Sequence, residues 1–140
     1  MKNLKKSVLI YSIYILSFVG ILICIYLLYA HFADVSVACP RVGIIDCANV
    51  LTSQYSSILG IPVPFFGMAF FILMSVFTFL KKELYLLVLS ILGVLSVMYL
   101  VYVEFALIHS VCLWCSSIHV ITLLLFFISV YLFLNKILTS

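Results

Sequence analysis

Charged side chains are scarce in this chain of 140 residues, which has 7 Lys and Arg and 4 Asp and Glu. Hydrophobic residues make up 68% of the chain and charged residues only 8%. A typical soluble domain carries about three times as much charge, so a soluble protein is excluded. The net charge is only +3 and no basic or acidic tract occurs, which leaves no signal for a nucleic-acid partner. The composition indicates a protein whose surface faces membrane lipid.

Long apolar runs define the expected fold. A helix that crosses a bilayer needs about 20 apolar residues, and the chain has room for four such helices and one long polar loop. The first run continues to Ala30, which is too long for a cleaved signal peptide, so we read it as a retained helix. The predicted spans are residues 8–30, 65–80, 84–108 and 113–134. The outer loop is 31–59, in which 49–57 can form a short helix at the membrane surface. We expect an all-α membrane protein, a bundle of four transmembrane helices that forms one domain over residues 1–140.

The lysines predict which way the chain crosses the membrane. Cytoplasmic ends of membrane helices are enriched in Lys and Arg. With four spans, both termini and the turn after the second span lie on one side, and that side holds every lysine: Lys2, Lys5, Lys6, Lys81, Lys82 and Lys136. The opposite side holds only Arg41. We therefore predict a multi-pass protein of the cytoplasmic (inner) membrane with both termini in the cytoplasm.

Five cysteines are present, and four of them fall in segments predicted to lie at the outer surface. Cys39 and Cys47 enclose seven loop residues, and Cys112 and Cys115 form a C-x-x-C motif at the start of the last span. The outer side is the oxidising compartment, where disulfides persist. Cys24 lies in the middle of the first span without polar neighbours, and we read it as a small buried hydrophobic residue.

The C-x-x-C motif has the position of a reactive thiol pair. It would occupy the first turn of the last span, where free backbone N–H groups and the helix dipole lower the pKa of a thiol. A thiolate is the species that attacks a disulfide or an electrophilic quinone. His119 follows Cys115 by one turn on the same helix face and could donate a hydrogen bond or a proton to a quinone oxygen. Trp114, inside the motif, could be a lid over a pocket or an anchor at the membrane interface.

Other chemistry for these thiols stays open. Two cysteine pairs can form a structural disulfide framework, although a four-helix membrane bundle does not need one. They can also supply four thiolates to zinc or copper, but the seven residues between Cys39 and Cys47 are a loose spacing for a zinc ribbon. Spacing and topology favour redox exchange, with no metal site. Glu104, the one acid inside a predicted span, fits both a functional role and a simple placement near the outer end of its span.

The combination of motifs resembles a known family, the vitamin K epoxide reductase (VKOR) family, and in particular its prokaryotic branch. The motifs that carry the resemblance are Cys39-x7-Cys47, the Cys-x5-Ser segment from Cys47 to Ser53 with Tyr55 and Ser56 after it, Gly60-Ile61-Pro62, Gly67, and Cys112-Leu113-Trp114-Cys115-x3-His119. A lone C-x-x-C motif would be weak evidence for the family. The two cysteine pairs together with the loop segment and the four spans are specific.

The resemblance implies a bundle of four helices around a quinone, capped by a half-helix in the outer loop. It implies that Cys39 exchanges disulfides with a thioredoxin-like partner, that Cys47 relays electrons to Cys112, and that Cys115 faces the quinone. Ser53 matches a loop serine of the family that helps to hold the half-helix over the pocket.

The expected quinone pocket departs from that of the animal members. An Asn and a Tyr hydrogen-bond the quinone oxygens in those members, and Val63 and His119 stand at these positions here. Together with Ser53 and Trp114 they are the predicted quinone-binding residues. The departure favours plain quinone reduction over epoxide reduction.

The expected function is that of a membrane thiol–disulfide oxidoreductase that supports disulfide bond formation. Its implied cofactor is a quinone of the ubiquinone, menaquinone or vitamin K type, and its implied partner is a separate, thioredoxin-like protein outside the cytoplasm. A vitamin K epoxide or quinone reductase proper and a thiolate metal-binding membrane protein are the alternatives.

Overall fold

The computed structural model describes residues 1–139, and these are mostly helical. The α-helices of this part are α1 Lys2–Ala33, α2 Cys47–Leu51, α3 Val63–Phe79, α4 Glu83–Tyr102 and α5 Leu113–Thr139. A π-helical segment, Val103–Ile108, continues α4. The loop between α1 and α3 also holds a 3₁₀ turn, Gln54–Ser56, and a short antiparallel hairpin of β1 Ser57–Ile58 and β2 Ile61–Pro62.

The described chain contains three helices that are long and apolar enough to cross a membrane: Lys2–Ala33, Glu83–Ile108 and Leu113–Thr139. The protein is therefore a multi-pass membrane protein, as its composition predicts. α3 is apolar but shorter, with 17 residues. It begins directly after the proline-containing hairpin, and Pro64 is tolerated in its first turn because backbone N–H groups there have no intrahelical partner.

α1 shows how the helices divide their faces between the bundle and its surroundings. Its buried residues recur every three or four positions: Ile13, Ser17, Gly20, Cys24, Leu27 and Ala30. The opposite stripe is apolar and exposed: Tyr11, Ile15, Phe18, Leu22, Ile25 and Tyr29. A face this apolar has no stable place in water, so the exposed stripe is the surface that meets lipid.

Glycines let the helices approach closely. A Cβ atom on Gly20 of α1 would lie 2.6 Å from the ring of Phe71 on α3. A Cβ atom on Gly93 of α4 would lie 2.8 Å from the ring of Phe70 on α3 and 2.9 Å from Thr122 on α5. Small residues serve this purpose in membrane helices, where association depends on close packing. These contacts lock α3 against α1 on one side and against α4 on the other.

An ion cluster joins three helices at the end of the bundle that carries the N-terminus. The Glu83 carboxylate lies 3.1 Å from Lys6 Nζ on α1 and 3.5 Å from Lys136 Nζ on α5. The Glu83 side chain is only 9% exposed, and a buried carboxylate is tolerated only when it is paired. The cluster therefore fixes the first turn of α4 between the two long helices.

Candidate active site

The loop cysteines form a disulfide that leads from the surface into the protein. Cys39 and Cys47 are bonded to each other. Cys39 is partly exposed, whereas Cys47 is 1% exposed. Cys47 begins the short helix α2, whose N-terminus is capped by the Asp46 carboxylate accepting from the Asn49 N–H at 3.2 Å. Such a cap favours helix formation at this residue, so Asp46 defines the start of α2 at Cys47.

Backbone pairing places the inner loop cysteine beside the C-x-x-C motif. The Val111 N–H donates to the Ile44 carbonyl at 2.8 Å, and the Asp46 N–H donates to the Val111 carbonyl at 3.0 Å. Val111 and Asp46 directly precede Cys112 and Cys47. The two cysteines consequently share one small apolar cluster.

A side-chain bond reinforces this junction. The Asn49 amide on α2 donates to the Ser110 hydroxyl at 2.7 Å. Ser110 lies two residues before Cys112. The loop therefore binds the short connection between α4 and α5 through both backbone and side-chain hydrogen bonds.

The thiols of Cys112 and Cys115 are free in this structure. Cys112 is fully buried, and its Sγ accepts from the Cys115 N–H at 3.3 Å. A hydrogen bond from the Cys115 thiol lowers the pKa of Cys112, against the opposing effects of burial and of the Glu104 charge. A thiol with a lowered pKa is the better nucleophile and leaving group in disulfide exchange near neutral pH. Cys112 is therefore suited to exchange with the loop disulfide.

An apolar cavity of about 220 Å³ lies beneath the loop, between α1, α3, α4 and α5. It is larger than the roughly 150 Å³ apolar cavity that takes up a benzene molecule, so it can admit an aromatic ring. Cys115, His119, Ser53 and Val63 line it. Cys39, Cys47, Cys112 and Trp114 lie outside the set of lining residues. The cavity therefore brings together one sulfur of the two cysteine pairs and three of the predicted quinone-binding residues.

Ser53 contacts both the loop and the cavity. Its hydroxyl donates to the Val50 carbonyl at 2.8 Å, and Val50 and Leu51 of α2 form part of the cavity wall. The bond closes the last turn of α2 next to the cavity. The hydroxyl thus secures the short helix, and the same residue contributes to the wall.

Trp114 contacts the loop, where it is part of an aromatic clamp on Ala38. Its Nε1–H donates to the Ala38 carbonyl at 2.9 Å, and the Ala38 N–H donates to the Tyr26 hydroxyl at 3.0 Å. The two rings lie 5.0 Å apart. Ala38 directly precedes Cys39, so this Tyr26–Trp114 clamp fixes the backbone at the outer loop cysteine.

Further residues of the site were assigned no role from the sequence. Glu104, Tyr55 and Cys24 also line the cavity. For Glu104 the signal was its position as an acid within a span. Tyr55 belongs to the loop motif that carries the family resemblance, but the motif assigns it no role, and Cys24 has no spacing relation to the other cysteines. No group of three or more His, Cys, Asp and Glu side chains suited to a metal ion occurs within residues 1–139.

Fold and site together define a helical membrane protein that holds a disulfide, a free dithiol and an apolar cavity in close proximity. Residues 11–130 match the family model VKOR, described as the vitamin K epoxide reductase family. The match covers most of the chain, and the protein belongs to this family, as the motifs predict. It is an oxidoreductase family associated with quinone substrates. No curated protein sequence matches the chain.

The aromatic clamp can be tested by removing its hydrogen bonds one at a time. Tyr26→Phe and Trp114→Phe each leave a ring in place but remove one bond to Ala38. Because one such bond contributes about 1 kcal/mol, protection of the peptide around Cys39 against hydrogen exchange should fall about fivefold. The KM for quinone should stay unchanged. Tyr29→Phe, an equivalent change on the exposed face of α1, is the control. Unchanged protection with a raised KM would instead place Trp114 in the quinone site.

Proposed function

We propose that the protein is a membrane thiol–disulfide oxidoreductase that passes electrons from a separate, thioredoxin-like partner to a quinone, and so supports disulfide bond formation. One observation carries the proposal: the four cysteine sulfurs lie in order between the surface and the cavity. Cys39 is partly exposed, Cys47 and Cys112 are buried in one cluster, and Cys115 lines the cavity.

The proposed sequence of exchanges uses each sulfur in turn. A partner thiolate attacks Cys39, the second partner thiol resolves this mixed disulfide, and both loop thiols are released. Cys47 then attacks a Cys112–Cys115 disulfide at Cys112 and frees Cys115. Attack of Cys39 on Cys47 restores the loop disulfide and frees Cys112. The product of these steps has a closed loop disulfide and two free C-x-x-C thiols, which is the arrangement in the structure.

The cavity fits the headgroup of a quinone of the ubiquinone, menaquinone or vitamin K type. Its walls are mainly apolar, and its hydrogen-bonding side chains include Ser53, Tyr55, Glu104 and His119. Sites for such ligands combine apolar walls with a few polar groups. Val63 offers no hydrogen bond at the position where animal members have Asn, and this supports plain quinone reduction over epoxide reduction.

We further propose that α3 is a fourth span and that residues 1–140 form a single domain with both termini in the cytoplasm. A helix of 17 residues is about 25 Å long, at the lower limit for crossing a bilayer. The lysines then lie on the cytoplasmic side of a cytoplasmic (inner) membrane and the four thiols outside. A phosphatase that is active only outside the cytoplasm should be active when inserted at Gly43 and inactive after Ser140. The reverse pattern would overturn this orientation.

Quinone turnover by the purified protein tests the function directly. In detergent with excess dithiothreitol, it should reduce at least one of ubiquinone, menaquinone and vitamin K quinone, and leave the vitamin K epoxide unchanged. Protein reduced and then alkylated at its thiols is the control and should be inactive. Epoxide reduction at a comparable rate would identify a vitamin K epoxide reductase proper. Absence of turnover with every quinone, together with stoichiometric zinc or copper, would identify a thiolate metal-binding protein.

A further inference from the structure

Glu104 is a buried acid at the junction of the thiols and the cavity. It is 4% exposed and lines the cavity. It lies in the π-helical segment Val103–Ile108 that continues α4. Ionisable groups within membrane spans are costly and usually functional, and π-helical turns occur frequently at functional sites. Both features indicate that this carboxyl has a purpose beyond packing.

The backbone around Glu104 ties it to the C-x-x-C motif. Its carbonyl accepts from the N–H groups of His109 and Ser110, which closes the helix end and turns the chain toward Cys112. Its carboxyl group interacts electrostatically with the backbone N–H and the thiol of Cys112. Cys115 lines the same cavity. Glu104 therefore contacts the motif on one side and the cavity on the other.

Quinone reduction in the cavity requires protons as well as electrons. When Cys112 and Cys115 form a disulfide, they release two electrons and two protons. A quinone needs two of each to become a hydroquinone, one proton for each oxygen. Because the cavity is mainly apolar, few groups in it can carry a proton. Besides Glu104, the titratable side chains that face it are Cys24 from α1, Tyr55 from the loop, and Cys115 and His119 from α5.

We propose that the Glu104 carboxyl group carries a proton from the C-x-x-C thiols to the quinone oxygen. This proposal rests on the proposed function. Glu104 accepts the proton released by a thiol as the disulfide forms, donates it to the substrate oxygen, and ends in the state in which it began. It is thereby a catalytic acid–base residue, and His119 is a candidate for the second oxygen.

Glu104→Gln tests the proposal, because the amide keeps the size of the side chain and its hydrogen bonding but cannot transfer the proton. Positioned acid–base groups contribute about 100-fold or more to rate. We expect the kcat for quinone reduction to fall about 100-fold with the KM within about twofold. The rate at which dithiothreitol reduces the Cys112–Cys115 disulfide should change by no more than about threefold, because the lost Glu104 charge alters only the pKa of the Cys112 leaving group; a change this small shows that the motif is intact. Asp34→Asn makes the same chemical change at an exposed acid after α1 and should leave turnover unchanged.

A second pair of variants separates the carboxyl group from its packing. Glu104→Asp and Glu104→Asn have the same length, and only the first can carry a proton. The Asp variant should turn over at least about tenfold faster than the Asn variant. Equal rates in the two, or a Gln variant within about threefold of the parent, would overturn the role of Glu104. If the parent protein itself reduces no quinone, the proposed function is wrong. If the parent is active, the results for the variants test only the role of Glu104.

Discussion

Replacing Cys115 by alanine is expected to abolish quinone reduction, with kcat falling by at least about 1,000-fold, or about 4 kcal/mol of activation free energy. Cys115 is the member of the two cysteine pairs that lines the cavity. Without its sulfur the C-x-x-C motif cannot form a disulfide, so the motif cannot transfer two electrons to the substrate. Cys112→Ala should have the same effect, because it removes the other half of that disulfide.

The measurement is the absorbance change of quinone reduction in detergent with dithiothreitol as the electron donor. Ser117→Ala is a suitable control, since Ser117 is exposed on the same helix and its hydroxyl donates only to the Leu113 carbonyl of its own turn. Turnover of Cys115→Ala within about tenfold of the parent would contradict the assignment. Cys24, whose buried thiol lines the same cavity, would then become the candidate electron donor.

The broad architecture was accessible from the sequence because membrane spans depend on length and hydropathy. The helical fold, the multi-pass character and the family are confirmed. The π-helical segment after Tyr102 was not predicted, since it depends on how the chain turns between two packed helices. α1 also begins earlier, at Lys2, because nothing between the lysines and the apolar run breaks a helix. Hydropathy identifies the residues that avoid water. It does not fix where a helix ends, because helix ends also depend on local hydrogen bonds.

The site was less accessible, because its arrangement depends on contacts between distant parts of the chain. The charge distribution predicted that all four thiols face the same side, but the pairing of Ile44 and Asp46 with Val111 has no local sequence signature. Trp114 illustrates the limit: its position in the motif suggests a lid or an anchor, but nothing in the sequence predicts the bond from its indole N–H to the backbone carbonyl of Ala38. Among 9 tyrosines and 12 phenylalanines, hydropathy cannot single out those that line a cavity.

Cys47→Ser is expected to lower quinone reduction driven by a reduced thioredoxin-fold protein by at least about 100-fold, while reduction driven by dithiothreitol persists. Cys112 has no exposed surface and lies beneath the loop in one cluster with Cys47. A folded protein cannot bring its active-site sulfur to Cys112, and burial of the attacked sulfur slows exchange. A small dithiol can reach the motif through the cavity, where Cys115 lines the wall.

The comparison of the two electron donors decides the roles of the loop cysteines. Cys39→Ser should also block the protein donor, because Cys39 is the more exposed sulfur of the loop disulfide. If Cys39→Ser left exchange with the protein donor unchanged while Cys47→Ser blocked it, the first attack would occur at Cys47. If both variants kept full activity with the protein donor, electrons would reach Cys112 without the loop. The structure argues against that last outcome, because the segment that ends at Cys47 pairs with the segment that leads to Cys112 and covers it.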